Sequence, residues 1–216
     1  MAKAKVKKQS TWIDMTAMSD VTVLLLTFFM LTSTFIMPEP VTVTTPQSVS
    51  EKKIPETNLM TILVSGNGKL FMSLDNQNDK IETLRRVGED YGISFTSKQI
   101  ESFKTQVMFG VPIGTMASFL ELPSDKQGEY LKELEDPRVG IPDSEVEVRD
   151  NIGLISQDNE FKRWVSHARA ANSDLQIAIK ADQGTSYPVV KKVMEDLRDL
   201  RENRYLLITS LKSSSE

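Results

Sequence analysis

One ionisable side chain, Asp20, lies near the start of a long uncharged run, and it is the residue of this chain best suited to proton chemistry. The run from Thr16 to Met37 contains 22 residues and no other charged side chain. As a helix with a rise of about 1.5 Å per residue it is about 33 Å long, enough to cross a hydrocarbon core of about 30 Å. Carboxyl groups inside membrane helices are costly when charged and commonly take part in proton or ion transfer. We therefore take Asp20 as a candidate proton carrier.

Two hydroxyl residues share the helix face of Asp20. Thr27 follows it by seven residues, and Thr34 follows by another seven. Seven residues make almost two helical turns, so the direction drifts by only about 20° per step. Such a stripe could line a proton path. Threonine hydroxyls also bond to the preceding turn and are tolerated in lipid, so a packing role stays open.

Proton transfer through Asp20 requires a second membrane protein. Apolar surroundings raise the pKa of a carboxyl group because its charged form loses hydration. A proton that crosses a potential of about 100 mV releases about 2.3 kcal/mol, which can drive a rearrangement of helices. A single helix cannot enclose a water path, so we expect a membrane partner around it. The alternative is a passive anchor.

The charges that flank the run predict its orientation. Lysines occur at positions 3, 5, 7 and 8, whereas residues 38–50 contain neither Lys nor Arg. The positive-inside rule places the N-terminus in the cytoplasm and the chain after about residue 38 outside it. The run is longer than the apolar region of a signal peptide, and no small-residue cleavage site follows it. We therefore expect an uncleaved, single-pass membrane anchor.

Composition argues against several other classes of function. The net charge of −4 is unfavourable for a nucleic-acid partner. The chain has no cysteine and a single histidine, His167, so it has no basis for disulfides, thiolate metal sites or multi-histidine metal sites. We find no nucleophile with its base. We expect no enzyme, no metal and no cofactor, with the proton as the coupling ion.

Proline and hydrophobic patterns divide the chain into segments. We expect a cytoplasmic N-terminus over residues 1–14 and a transmembrane helix over 15–37. Over residues 38–58, prolines and an alternating Val-Thr stretch predict an extended linker. We expect this linker to be a spacer that does not pack against the folded domain. A periplasmic domain follows over 59–211, with a helical insertion at about 75–157.

Local patterns predict that this domain is α+β. Apolar runs at 59–64 and 69–73 flank Asn67-Gly68, a pair typical of a hairpin turn. An alternating run at 175–180, an amphipathic stretch at 187–202 and an apolar run at 204–209 predict a strand–helix–strand unit. Other expected elements are helices at 79–91, 97–108 with Ser97 as its cap, 112–120, 124–134 and 159–171, and a short strand around Val146 and Val148. Together they predict a small sheet covered by helices, after a single N-terminal transmembrane helix.

In these elements the sequence resembles the ExbD/TolR family of inner-membrane motor subunits. The family's membrane motif, Ile-Asn-x-Thr-Pro-Phe-x-Asp, is matched by Ile13-Asp-Met-Thr-Ala-Met-Ser-Asp20, so its essential aspartate falls on Asp20. A Val-x-Val-x-x-Pro stretch is matched by Val41-Thr-Val-Thr-Thr-Pro46. A late Ile-x-Ala-Asp…Tyr signature is matched by Ile179-Lys-Ala-Asp182 and Tyr187.

The resemblance implies a proton-channel and motor subunit, not an enzyme. ExbD-like proteins form a homodimer whose membrane helices lie within a pentamer of ExbB-like subunits. Proton flow drives motion that a TonB-like protein passes to outer-membrane transporters of siderophores and vitamins. The resemblance makes Asp20 the proton-translocating residue, Thr27 and Thr34 pathway or packing residues, and Val41, Val43 and Pro46 linker contacts with neighbours or with the channel mouth.

Departures from the family pattern leave alternatives open. Asp14 and Ala17 replace the motif Asn and Pro, and Asp14 is either a second proton relay or a cap at the helix start. Typical members lack the insertion at about 75–157, and the bacteroidete type of ExbD is the most similar branch. A TolR-like subunit of a Tol-Pal-type envelope motor and a passive periplasmic scaffold remain alternatives.

Other polar residues have simpler interpretations. We expect Asp182 and Tyr187 to fix a turn and a helix start, and His167 to be structural or on the surface. Dimerisation follows from the resemblance, and the last strand at 205–209 is expected at a sheet edge. The cations Lys191, Lys192, Arg198, Arg201 and Arg204 are expected to form a solvated face, with a partner contact as the alternative.

Overall fold

The computed structural model describes residues 15–33, 39–48, 55, 57–144, 146–149 and 155–211. It divides the chain into two compact units, Met1–Pro38 and Glu39–Glu216, which are described separately. The candidate residues Asp14 and Thr34 lie outside the described residues.

In the first unit, residues 15–33 are described, and they contain the helix α1 (Met15–Thr32), which is long and apolar enough to cross a membrane. Its 18 residues correspond to about 27 Å of helix. None of its side chains is buried. The predicted helix extended to residue 37, but residues 34–38 lie outside the described part of the chain.

The second unit alternates strands and helices and confirms the α+β class. Its hairpin, its four central helices and its final strand–helix–strand unit lie within a few residues of the predicted positions. The elements are β1 (Gln47–Ser48), β2 (Leu59–Val64), β3 (Leu70–Leu74), α2 (Gln77–Asp90), α3 (Ser97–Thr105), α4 (Ile113–Glu121), α5 (Ser124–Lys132), β4 (Val146–Arg149), β5 (Ile155–Asp158), α6 (Glu160–Ala171), β6 (Gln176–Ala181), α7 (Tyr187–Asp199), β7 (Tyr205–Leu207) and β8 (Ser210–Leu211).

The main sheet has four strands in the order β3–β2–β6–β7. β2 pairs antiparallel with β3 and parallel with β6, and β6 pairs parallel with β7. Gly68 has φ +78°, a left-handed conformation that favours glycine and closes the predicted hairpin. Two small pairs, β1 with β8 and β4 with β5, lie outside this sheet.

The two edges of the main sheet differ. Along β3, the Met72 amide donates to the Phe109 carbonyl at 2.8 Å, and the Ile141 amide donates to the Leu70 carbonyl at 2.8 Å. The stretch between α3 and β4 therefore covers this edge. Among the described residues no strand pairs with the outer side of β7. The prediction that the last strand forms an edge is confirmed.

The predicted insertion packs into the same core as the sheet. The ring centroids of Phe109 on this stretch and Trp164 on α6 are 4.8 Å apart, and those of Phe103 and Phe109 are also 4.8 Å apart. The Glu160 carboxylate accepts hydrogen bonds from the Ile113 amide at 2.8 Å and from the Trp164 indole at 3.2 Å. It thereby satisfies an unpaired amide at the start of α4.

One predicted helix cap was wrong. Thr96, not Ser97, is the N-cap of α3, because its hydroxyl accepts from the Gln99 amide at 3.4 Å. The Gln99 side chain accepts in return from the Thr96 amide at 2.8 Å. The pair forms a capping box, for which threonine serves as well as serine.

Candidate functional site

Asp20 is the one charged residue of α1, and its side chain is exposed on an otherwise uncharged helix. Among the described residues, no hydrogen bond or ion pair involves its carboxylate. The neighbouring side chains on α1 are apolar or carry hydroxyl groups. Within the described part of this chain, the Asp20 carboxyl group is therefore available for a hydrogen bond with water or with a side chain of a membrane partner.

Thr27 uses its hydroxyl hydrogen within its own helix. Its Oγ1 donates to the Leu24 carbonyl at 2.9 Å. Thr22 and Thr32, which lie off the polar stripe, make equivalent bonds of 2.7 and 2.8 Å. The seven residues from Asp20 to Thr27 place the two about 10.5 Å apart along the helix axis. A pathway role for Thr27 therefore remains a prediction, and a direct Asp20–Thr27 bond is ruled out.

The segment expected to be an unpacked linker is attached to the domain where it is described, over residues 39–48. Val41 is buried in the core with 4% of its surface exposed, and Val43 packs against the core as a half-buried side chain. The prediction of a spacer that does not pack was therefore wrong for this stretch. The alternation of Val and Thr that favours extended backbone also gives one apolar side that can be buried.

Asp182 of the late signature holds this segment. Its Oδ2 accepts from the Thr44 amide at 2.9 Å, while its Oδ1 accepts from the Gly184 amide at 2.8 Å. The Gln183 amide then donates to the Thr44 carbonyl at 2.7 Å. One carboxylate therefore closes the turn after β6, as expected, and also fixes the segment that follows the first unit, which the sequence did not predict.

Two further contacts attach the same segment. Lys180 on β6 forms an ion pair with Glu39, with 2.7 Å between Nζ and Oε2. At the other end, β1 pairs parallel with β8 in the register Gln47↔Ser210. A pull on the chain at Glu39 would therefore act first on the end of β6. Pro46 lies in this described segment one residue before β1.

His167 belongs to a surface ion cluster that links α6 to α2. Its Nε2 is 2.7 Å from Asp90 Oδ2, and Arg163 donates to the same oxygen at 2.9 Å. Partial burial opposes ionisation of Asp90, but the hydrogen bonds from His167 and Arg163 outweigh it and hold the pKa of Asp90 below its usual range. No group of three metal-ligating side chains occurs among the described residues.

Lys80 is an internal cation that the sequence analysis did not single out. It lies on α2 with 3% of its surface exposed, donates to the Gln106 carbonyl and lies 5.8 Å from the ring centroid of Phe103. Burial lowers its pKa to about 8. The side-chain oxygen of Gln106 is also buried, and no partner for it is found among the described residues.

Comparison with known proteins gives one positive result. The family model described as "ExbD: Biopolymer transport protein ExbD/TolR" matches residues 6–103. Searches of curated proteins and of solved structures gave no significant match. The matched range contains α1 with Asp20, the attached segment 39–48 and the hairpin, and it ends within α3. Over this range, a little under half of the chain, the sequence is similar to the ExbD/TolR family of biopolymer transport proteins.

Proposed function

We propose that this chain is the proton-carrying subunit of an inner-membrane motor that uses the proton motive force to energise outer-membrane transporters. The match to the ExbD/TolR family model supports a motor subunit of a TonB or a Tol system. Within that choice we propose the ExbD-like role, of the bacteroidete type. The observation that carries the proposal is Asp20, the single ionisable residue of an exposed apolar helix that matches the family motif.

The proposed complex supplies what α1 lacks. A pentamer of ExbB-like subunits would surround the membrane helices of two copies of this chain and enclose a water path to Asp20. The flanking lysines support a cytoplasmic N-terminus, so the second unit would lie in the periplasm. There it would act on a TonB-like energy transducer.

Asp20 would carry the proton by alternating between two states. In the neutral state the carboxyl group tolerates apolar surroundings, whereas in the charged state it requires water or a polar partner. Each proton that crosses about 100 mV supplies about 2.3 kcal/mol to this cycle. Thr27 and Thr34 would act as pathway or packing residues, and Asp14 as a helix cap or second relay.

The segment after the membrane helix would pass the motion to the periplasmic domain. Its Val41, Thr44 and Glu39 contacts support this role, because they fix the segment to the end of β6. Val43 and Pro46 remain proposed contacts with neighbouring subunits or with the mouth of the channel.

The proposal is tested in a strain whose sole copy carries Asp20→Asn, a change that keeps the shape and removes the ionisable group. We expect loss of growth on iron supplied as a ferric siderophore or on limiting vitamin B12, with normal membrane levels and normal pull-down of the ExbB-like partner. Thr22→Val, on the same helix but off the stripe, is the matched control. Normal import by the Asp20→Asn strain would instead identify a passive anchor.

The TolR-like alternative is distinguished by the phenotype of the deletion. A Tol-type subunit protects the outer membrane, so its loss would cause sensitivity to detergent and defects in constriction while import continues. Loss of import with an intact detergent barrier would support the ExbD-like role.

A further inference from the structure

A depression lies at one end of the main sheet, between the loop that follows α6 and the loop that follows α7. Its volume is about 770 Å³, and it is lined by Arg169 and by residues 173–177 and 201–206. The parallel strands β6 and β7 begin here. The depression therefore lies at the end of the sheet opposite to Lys180 and Asp182, which hold the attached segment. We refer to it as the loop depression.

The polar lining of the loop depression is rich in hydrogen-bond donors. Arg201 and Arg204 are exposed, and each guanidinium group offers five N–H donors. Among the described residues, no hydrogen bond or ion pair involves either guanidinium group. The side chains of Ser173, Gln176 and Asn203 add hydroxyl and amide groups to the same lining. In the described part of the chain these three side chains make no hydrogen bond either, so the donors remain available to a ligand.

The carboxylates of the lining leave this donor capacity unused. Glu202 is occupied by Arg169, which donates to both of its oxygens at 2.6 Å. Arg169 also donates to the carbonyls of Ser173 and Leu175, so its guanidinium group is committed to the fold. The other carboxylate of the lining, Asp174, is exposed and forms no ion pair among the described residues. The unpaired charges of the lining are therefore two guanidinium groups and one carboxylate.

Arg201 occupies a backbone position that favours glycine. Its φ is +62°, in the left-handed region. The Arg201 amide donates to the Arg198 carbonyl and the Glu202 amide donates to the Leu197 carbonyl, each at 2.9 Å. These two bonds are those of a Schellman motif, whose left-handed residue is usually glycine. An arginine kept at a conformationally costly position, with its side chain on a depression, indicates a role of that side chain outside the fold.

We propose that the loop depression binds a sugar phosphate. A phosphate ester has a charge of about −1.5 to −2 at pH 7 and three strong acceptor oxygens. Arg201 and Arg204 would bind these oxygens, because guanidinium groups match phosphate geometry. The sugar hydroxyl groups would donate to Asp174, which would otherwise face the ligand as an unpaired like charge. The inference concerns the second unit alone and does not depend on proton transfer by Asp20.

The test is isothermal titration calorimetry of the full chain in nonionic detergent micelles at pH 7.5, with micelles alone as the blank. The probe is glucose 6-phosphate. Glucose 6-sulfate is the matched control, because it has the same sugar and only one negative charge. We expect the phosphate to bind at least about fivefold more tightly than the sulfate. Equal affinities, or no binding of the phosphate up to about 20 mM, would overturn the proposal.

Inorganic phosphate separates the free anion from its sugar ester. The sugar hydroxyl groups add hydrogen bonds to Asp174 and to the amide side chains of the lining. We therefore expect glucose 6-phosphate to bind more tightly than inorganic phosphate, by roughly threefold. Equal binding of the two would overturn the assignment of a sugar ester and identify phosphate itself as the ligand.

Arg201→Gly separates binding from folding. Glycine fits the left-handed position, so we expect Tm to rise by about 2 °C. Loss of the guanidinium group should nevertheless weaken the binding of glucose 6-phosphate by roughly threefold, and Arg204→Gln should weaken it by a similar factor.

Arg85→Gln is the matched control for these substitutions. Arg85 is exposed on α2 and does not line the loop depression, so its loss removes the same charge elsewhere. We expect its affinity for glucose 6-phosphate to be unchanged. Two results would contradict the site. One is unchanged affinity in both Arg201→Gly and Arg204→Gln. The other is an equal loss in Arg85→Gln, which would mean that only net charge matters.

Discussion

Replacement of Lys80 with Met should remove a pH dependence from the stability of the second unit. Lys80 is 3% exposed. Its ammonium group donates a hydrogen bond to the carbonyl of Gln106, and the ring of Phe103 lies beside it. No carboxylate forms an ion pair with it among the described residues. Burial of an ammonium group without a counter-ion disfavours its charged form.

The pKa of Lys80 gives the sign and size of the effect. Burial lowers it from its usual 10.5 to about 8. Between these two values the unfolded chain binds more protons than the folded one, so stability rises with pH. At about 1.4 kcal/mol per pKa unit the total rise is about 3 kcal/mol. Below pH 8 both states are protonated, and the full cost of the buried charge is present.

The assay is urea unfolding of the full chain in nonionic micelles, followed by the fluorescence of Trp164, which is fully buried. The chain has two tryptophans, so a Trp12→Phe background leaves one reporter. The free energy of unfolding of this background minus that of its Lys80→Met derivative should rise by about 3 kcal/mol between pH 7 and pH 10.5. The subtraction removes the titration of the other groups.

Lys98→Met is the matched control, because Lys98 is exposed on the neighbouring helix α3. Its difference curve should be flat over the same range. A flat curve for Lys80→Met as well would refute the reasoning, since it would mean that the ammonium group of Lys80 is hydrated in the folded protein.

Four further predictions concern single residues. Gly110→Ala should destabilise the second unit by about 2 kcal/mol or more, because a Cβ there would lie 2.1 Å from the ring of Phe71. Gly114→Ala, whose Cβ would meet nothing within 4 Å, should stabilise it by about 0.5 kcal/mol, and urea unfolding compares the two. Asp182→Ala should make the amides of residues 41–45 exchange about tenfold faster, as read by hydrogen-exchange mass spectrometry; unchanged exchange would contradict the attachment. Asp90→Asn should cost up to about 1 kcal/mol at pH 7. Because the pKa of Asp90 is lowered in the folded state, that cost should decrease as pH falls below the usual 3.8; a cost that is unchanged between pH 5 and pH 2 would contradict the ion cluster.

Short-range patterns predicted most of the secondary structure. Asn67-Gly68 between two apolar runs identified the hairpin because its turn depends on residues adjacent in sequence. The apolar periodicity of 187–202 between two strand-like runs identified the parallel β6–α7–β7 unit for the same reason. The uncharged run around Asp20 was evident from composition alone.

Long-range contacts were beyond these patterns. The buried positions of α2 include Lys80 beside the apolar Leu84 and Val87, so a lysine occupies a core position of the helix. A lysine in an amphipathic pattern is ordinarily exposed. Its burial depends on Gln106, which the chain brings near only after α3 is packed.

The attached segment shows the same limit. The alternation of Val and Thr predicted an extended linker, but it did not predict the burial of Val41 and Val43. Their segment is held by Asp182, more than a hundred residues away. The left-handed backbone of Arg201 after the end of α7, with φ +62°, was not predicted either. Glycine is the residue that usually indicates this conformation at a helix end. Such positions are determined by tertiary contacts, which a single sequence does not reveal.

The most direct test of the central claim is proton flux through the complex. The chain would be co-purified with its ExbB-like partner, reconstituted into liposomes that contain a pH-sensitive dye, and subjected to a membrane potential. The account predicts that the complex conducts protons, that Asp20→Asn abolishes the flux with assembly intact, and that Thr22→Val leaves it unchanged. Undiminished flux through the Asp20→Asn complex would contradict the assignment of Asp20 as the proton carrier.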